Sequence, residues 1–328
     1  MKTRILGRTR LEVGELSLGA PFIASGVNGM LPVVKRALEA GMNLIDTSAD
    51  YGDNEKILGE VLHAIDASCI VSTKIGPRNG DANFNPKDKD YLRRIVEESL
   101  VFLHRDVLDI LMIHEPDRPG QFDWYNDYEN FHGPVTELLQ ELKDEKLIRY
   151  SGLGGTTVYQ LTRLLSTCEY DVVLTAFNSS PLWQEAVKMI IPEAKKHNIG
   201  VMLASPTQQG WLAVRYDKEI ERGAPWLSPM RRTQFKEFYR FVDELGISLP
   251  VFCLRWALSI AGVSTVLTGP GNLVQLEENL TAIEQGALPK DVMTRVDEIA
   301  AMVPFRPYEE PSSCPFRRPE YWGPGCLR

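Results

Sequence analysis

The sequence predicts an α/β fold, a single closed (β/α)8 TIM barrel, and three observations predict it. Short runs of apolar, largely branched residues recur eight times along the chain, the signature of buried parallel strands. Between them apolar residues fall at helical spacing. No GxGxxG follows any of the runs, which argues against a doubly wound dinucleotide sheet. A chain of 328 residues is long enough for such a barrel as one domain. No internal repeat or low-complexity linker divides it, so residues 1–328 are read as a single domain.

Taken in order, residues 3–15 hold two short polar-apolar segments around Gly7 and Gly14 and predict a hairpin. The barrel strands are expected at 16–20, 44–48, 70–75, 107–114, 149–154, 172–178, 200–206 and 265–269. Ile57, Leu58, Val61, Leu62 and Ile65, then Leu92, Ile95, Val96, Ser99, Leu100 and Leu103, mark amphipathic crossover helices. Asn85 before Pro86 reads as an N-cap, and Gly41 and Gly246 sit where helices should stop. An extra helix is expected over 248–260, preceded by a long loop that carries Arg231 and Arg232. Residues 115–133 form an aromatic-rich loop too long for a plain connector. Long loops on the C-terminal face of a barrel build pockets, so this one is expected to contact cofactor and substrate. The tail at 304–328 is rich in proline and aromatics, and either folds over the barrel mouth or docks on a neighbouring subunit of a homo-oligomer.

The formal net charge is −8, with Lys and Arg scattered. That excludes nucleic acid and anionic membrane as main partners. Residues 1–20 lack a continuous apolar core, and no membrane-spanning apolar run of about eighteen residues occurs. The expected location is therefore cytoplasmic. Cys69, Cys168, Cys253, Cys314 and Cys326 form no CxxC pair, which favours reduced thiols and gives no metal site.

Four places carry the chemistry. Leu-Ile-Asp46 and, a turn later, Tyr51; Val-Ser-Thr-Lys74; and Ile-Leu-Met-Ile-His114 each bring an ionisable group to the end of a strand or its βα turn. All four groups then face one mouth. Asp, Tyr, Lys and His in this order resemble the catalytic tetrad of the aldo-keto reductases, and the resemblance runs from about residue 6 to 299. It implies that the hairpin closes the barrel floor. Tyr51 would exchange the proton that accompanies hydride transfer, its pKa pulled down by Lys74. Asp46 would orient Lys74, and His114 would donate a hydrogen bond to the substrate oxygen.

The same resemblance implies a nicotinamide dinucleotide, NAD or NADP, laid across the barrel top. Gly269, Gly271 and Asn272 would let backbone N–H groups and a helix N-terminus meet its phosphates. Gln275, Glu278 and Asn279 match positions that contact the adenosine. Gly154-Gly155 stands where many members have Ser-Asn, Thr175 where they have Gln, and Ala204 where a tyrosine precedes Ser205-Pro206. Asn178 is the expected holder of the carboxamide, with Ser205 beside it and Trp211 the candidate for ring stacking. These departures look more like the branch of L-galactose and D-threo-aldose dehydrogenases than like aldose reductases. Residues 267–287 contain neither Arg nor Lys, so NAD is favoured, Arg231 and Arg232 being the cations that would reverse this. The expected substrate is a small carbonyl compound, sugar or polyol, with Phe22, Trp124 and Trp211 as candidate contacts. A general NADPH-dependent aldehyde or ketone reductase is the alternative enzyme. A cofactor-sensing binding subunit, like the voltage-gated potassium channel β subunits that resemble this family, is the alternative from another class.

Overall fold

The computed structural model describes residues 1–19, 26–78, 81–224 and 227–306. Thr3–Ile5 (β1) and Glu12–Gly14 (β2) form an antiparallel hairpin. Eight parallel strands then close a barrel: Leu16–Gly19 (β3), Leu44–Asp46 (β4), Ile70–Ile75 (β5), Leu108–His114 (β6), Ile148–Gly155 (β7), Val172–Ala176 (β8), Gly200–Ala204 (β9) and Thr265–Thr268 (β10), which pairs back onto β3. Around them lie Gly26–Glu39 (α1), Asn54–Ala64 (α2), Lys89–Phe102 (α3), Pro134–Asp144 (α4), Val158–Leu165 (α5), Glu185–Lys188 (α6), Ile190–Lys196 (α7), Asp217–Arg222 (α8), Pro229–Leu245 (α9), Leu249–Ser259 (α10), Leu273–Glu284 (α11) and Lys290–Ala301 (α12). All eight strands lie where the sequence places them.

Strand periodicity explains how the reactive groups reach the interior. Ile110 and Met112 pack inside the barrel with Leu44, Val172, Leu174 and Met202, and Leu6 and Val13 of the hairpin region plug this core from below. Leu111 and Ile113, one residue out of phase, join the outer core beneath the helices. The next inward position is His114 on β6 and Asp46 on β4, and on β5 Lys74 follows inward-facing Ser72. Each buried aliphatic side chain contributes about 1.5–3 kcal/mol. A one-residue slip would exchange the two faces of a strand, so the core fixes which groups point into the mouth.

Behind β5, buried Glu55 accepts from Thr73 Oγ1 at 2.6 Å, Arg78 Nη1 at 2.8 Å and Ser99 Oγ at 3.0 Å. This network ties α2 and α3 to the strand and holds the turn before α2 that carries Tyr51.

Several expectations need correction. The helix expected to be capped at Asn85 begins later, where the Asp88 side chain accepts from Tyr91 N. Asn85 instead caps its own turn through Lys87 N. Arg231 and Arg232 lie on α9, which starts behind Ser228, and not on a loop. Residues 115–133 pack largely on themselves, with Trp124, Tyr125 and Phe131 buried and Phe122 edge-on to Phe84, and of this loop Glu115 lines the cleft. Of the tail, residues 307–328 lie outside the described residues. Cys69, Cys168 and Cys253 are free thiols; Cys314 and Cys326 lie outside the described residues. Among the described residues no helix is long and apolar enough to cross a membrane.

Candidate active site

At the carboxyl ends of the strands lies a cleft of about 940 Å³, near the upper end of the range of roughly 300–1,000 Å³ for small-molecule sites. Asp46, Tyr51, Lys74 and His114 all line it. Lys74 Nζ donates to Asp46 Oδ2 and to the Thr47 carbonyl, both at 2.7 Å. The other Asp46 oxygen accepts from Ser72 Oγ at 2.9 Å. Lys74 Nζ also sits 4.9 Å from the centre of the Tyr51 ring, and the His114 ring meets Tyr51 edge-on at 5.6 Å. The strand and loop ends thus bring the four side chains into one cluster.

Burial sets the electrostatics. It pushes the Tyr51 hydroxyl up, against the pull of Lys74, and Asp46, Glu115 and Asp50 push the same way. The expectation of a depressed tyrosine is therefore corrected: in a dry pocket crowded with carboxylates, desolvation outweighs one cation. Burial also opposes the charge of Lys74, but Asp46 and Tyr51 hold it above its ordinary value. Burial drives His114 down to about 3, assisted by Lys74 and Arg118. Its ring is neutral at physiological pH, with one donor and one acceptor nitrogen.

Two carboxylates of this site were missed by sequence reasoning. Asp50 and Glu115 line the cleft, and Asp50 Oδ2 lies 3.6 Å from His114 Nδ1. Burial and the neighbouring Glu115 raise Asp50 to about 6. The available signal was adjacency, since each directly neighbours a tetrad residue in a βα turn. Glu115, Phe177, Ser205, Gln208 and Gln209 all have positive φ. Seven further non-glycine residues with positive φ, such as Asp66, His104 and Lys146, end helices or turns away from the cleft, so this conformation does not by itself mark the site.

The glycines at the end of β7 have a steric reason. A Cβ on Gly154 would stand 3.2 Å from Lys74 Cδ and Cε, and one on Gly155 would stand 2.6 Å from Asp117 Oδ1. Asp117 in turn accepts the backbone N–H groups of Thr156, at 2.8 Å, and Thr157.

The far end of the cleft reaches α11. Ser205, Gly269, Gln275, Glu278 and Asn279 line it, and Asn279 Nδ2 donates to Thr268 Oγ1 at 2.8 Å. Asn272 caps the helix, its Oδ1 accepting from Gln275 N at 3.0 Å, while Gly271 N donates to Gln275 Oε1 at 2.7 Å. Gly271 and Asn272 therefore shape the helix start without lining the cleft. A site that continues from the tetrad to a helix N-terminus fits a long ligand that carries phosphates.

Other expected contacts are elsewhere. Asn178 is buried, its Oδ1 accepting from Thr175 Oγ1 at 2.7 Å and its Nδ2 donating to the Thr156 carbonyl at 3.3 Å. It ties the end of β8 to the loop after β7 and does not itself line the cleft. Trp124 is buried and donates its indole N–H to the His114 carbonyl at 3.1 Å. Trp211 is buried too, stacked on Phe235 at 5.8 Å and edge-on to Trp183 at 5.2 Å. Neither lines the cleft, so substrate contact by Trp124 and stacking or substrate contact by Trp211 are corrected to packing roles. Phe22 lies outside the described residues. Arg231 is fully buried over the Trp183 ring and donates to the Leu182 carbonyl. Arg232 donates to the Glu221 carbonyl.

Comparison with known proteins gives the same picture. The model of the aldo/keto reductase family matches residues 27–301. The chain is 28% identical to an L-galactose dehydrogenase of Arabidopsis thaliana, over 95% of this chain and 98% of that protein. It is 24% identical to an uncharacterized oxidoreductase, YqkF, of Bacillus subtilis (strain 168), over 89% and 94% of the two chains. It is also 24% identical to a probable voltage-gated potassium channel subunit beta of Arabidopsis thaliana, over 94% and 99%.

Proposed function

The chain belongs to the aldo/keto reductase family, and on that premise we propose that it is a cytoplasmic dehydrogenase that transfers a hydride between a nicotinamide dinucleotide and a carbonyl or alcohol carbon of a sugar or polyol. The observation that carries the reading is the convergence of Asp46, Tyr51, Lys74 and His114 on a cleft that continues to the start of α11. The likeness to an L-galactose dehydrogenase supports a sugar. So does the lining: Asp50 and Glu115 present oxygen acceptors for hydroxyl groups beside the reactive residues.

When bound, the dinucleotide supplies or accepts the hydride; Ser205, Gly269, Gln275, Glu278 and Asn279 would hold it. The protons belong to the protein. In reduction, the Tyr51 hydroxyl gives its proton to the developing alkoxide. Lys74, fixed by Asp46 and the Thr47 carbonyl, stabilises the phenolate left behind. Neutral His114 offers a ring N–H to the same oxygen, so the two donors polarise the carbonyl together. In oxidation the same groups act in reverse, and the raised tyrosine favours alkaline conditions for that direction.

NAD is the favoured cofactor. Residues 267–287 carry no cation, and Arg231 and Arg232, the cations that would reverse the preference, are held by Trp183, Leu182 and Glu221. Steady-state kcat/KM with both dinucleotides over a panel of aldoses and polyols tests the whole reading. Turnover confined to simple aldehydes would replace the sugar assignment, and negligible turnover on every compound would favour a binding subunit. A tenfold preference for NADP, about 1.4 kcal/mol, would refute the NAD assignment alone.

A further inference from the structure

We propose that Cys168, on the barrel floor, is a nucleophilic thiol activated by His197 and Glu193 and modified by α,β-unsaturated carbonyl compounds. Cys168 Sγ lies 2.8 Å from His197 Nδ1, and His197 Nε2 lies 3.1 Å from Glu193 Oε1. The second oxygen of Glu193 is held by Lys196 Nζ at 2.6 Å. Because a carboxylate can only accept, the Nε2 nitrogen carries the proton and Nδ1 presents its lone pair to the thiol. Nucleophile, base and orienting group therefore stand in series, the arrangement that activates a side chain for covalent chemistry.

The fold builds this group from separate elements. Cys168 follows α5, while His197 closes α7 and stands one turn after Glu193. Helix ends and strand starts face the floor, so the group sits opposite the mouth that holds the tetrad. The charged groups around it are Glu193 and Lys196, Arg8, which donates to the Cys168 carbonyl at 2.9 Å, and Asp171, which pairs with Arg8 at 3.4 Å. Access separates Cys168 from the other described thiols. Cys168 is half-buried, whereas Cys69 and Cys253 are buried without a comparable base. Burial raises Cys69 to about 11 and pushes Cys253 up as well.

The reaction is a conjugate addition. Sγ bonds to the β-carbon, the C=C pair shifts to the carbonyl oxygen as an enolate, and the thiol proton passes to His197 Nδ1 and then to the α-carbon. Nothing leaves and nothing is oxidised. Glu193 stabilises the imidazolium that forms in passing.

The test uses the full chain and N-ethylmaleimide, with labelling at each cysteine followed by peptide mass spectrometry against time. Cys168 should label faster in the native protein than in the urea-unfolded chain, while Cys69 and Cys253 label only on unfolding. His197→Gln should slow Cys168 by about tenfold or more, the lower range of general-base assistance, and Glu193→Gln should slow it in the same direction. Reductase turnover should not change. Equal Cys168 rates in the parent and in a folded His197→Gln or Glu193→Gln variant would overturn the proposal, as would a native rate no greater than the unfolded one. If either variant fails to fold, the other and the native-to-unfolded ratio decide.

Discussion

Tyr51 holds its proton at neutral pH as an ordinary tyrosine does, and burial, outweighing the pull of Lys74, strengthens that hold, which makes the residue a donor first. Tyr51→Phe keeps the ring and removes that proton, so turnover should fall by about two or more powers of ten while dinucleotide titration stays normal. Near-parental turnover would show that another group carries the proton. Lys74→Met strands Asp46 in a dry pocket. Breaking such a pair costs about 3–5 kcal/mol, measurable by urea unfolding, and Lys74→Met with Asp46→Leu should recover most of it. A double variant no more stable than the single one would show that Asp46 is not the source of the cost. Asp50 is raised from 3.8 to about 6, so between those values the native state holds a proton that the unfolded chain has lost. Its contribution therefore falls as pH rises through that window and stays unfavourable above it. His114, lowered from 6.5 to about 3, acts oppositely, its stabilisation being lost as pH falls through its own window. Asp50→Asn should raise the melting temperature at about pH 8 and leave it nearly unchanged at about pH 4. A gain of equal size at both would disprove a titration origin.

At the scale of elements, the end of β7 shows how a strand with almost no side chain governs the site. Gly154 lets the Lys74 stem pass, and Gly155 lets Asp117 cap the start of α5. A methyl on Gly154 needs the lysine stem to yield by a few tenths of an ångström, a small packing cost, but the displaced group is Nζ. Gly154→Ala should therefore keep the fold and lower kcat by about tenfold, since displacements of this order in a positioned site are costly. Gly155→Ala meets Oδ1 of a carboxylate whose other oxygen, Oδ2, is committed to two backbone donors, so the group cannot turn aside freely. It should cost about 1–3 kcal/mol of stability, the scale of an overpacked core. Thermal melts and kinetics on the two variants separate these effects; if both lost only stability, β7 would have no hold on Lys74.

For the whole molecule, the barrel and its tetrad were legible because both follow from strand periodicity, which a linear sequence displays directly. The branched runs located β3 to β10, and their inward phase delivered Asp46, Lys74 and His114. What sequence could not show is which way a loop faces. Trp124 and Trp211 have the composition of pocket walls, yet both turn inward against Phe84 and Phe235. Arg231 similarly resembles a phosphate contact until the Trp183 ring is found beneath it. Asp50 adjoins Tyr51 in sequence, but its burial and its nearness to the sequence-distant Glu115, which set its protonation, arise only when the two turns meet across the mouth. The same separation bears on the C-terminal segment. β10 closes onto β3, and α12 packs on α9 before the tail begins. Arg306 lies over Trp183 and donates to the Phe177 carbonyl, so a cut at 304 would remove a contact that belongs to the barrel. Truncation after Arg306 should accordingly leave a folded protein with nearly the parental melting temperature and a changed KM for substrate. Truncation after Val303 should melt lower, because a cation lost from an aromatic face costs about 0.5–2 kcal/mol. If the chain ending at Arg306 failed to fold, residues 307–328 would be part of the core or of an interface, and their role in specificity would have to be given up.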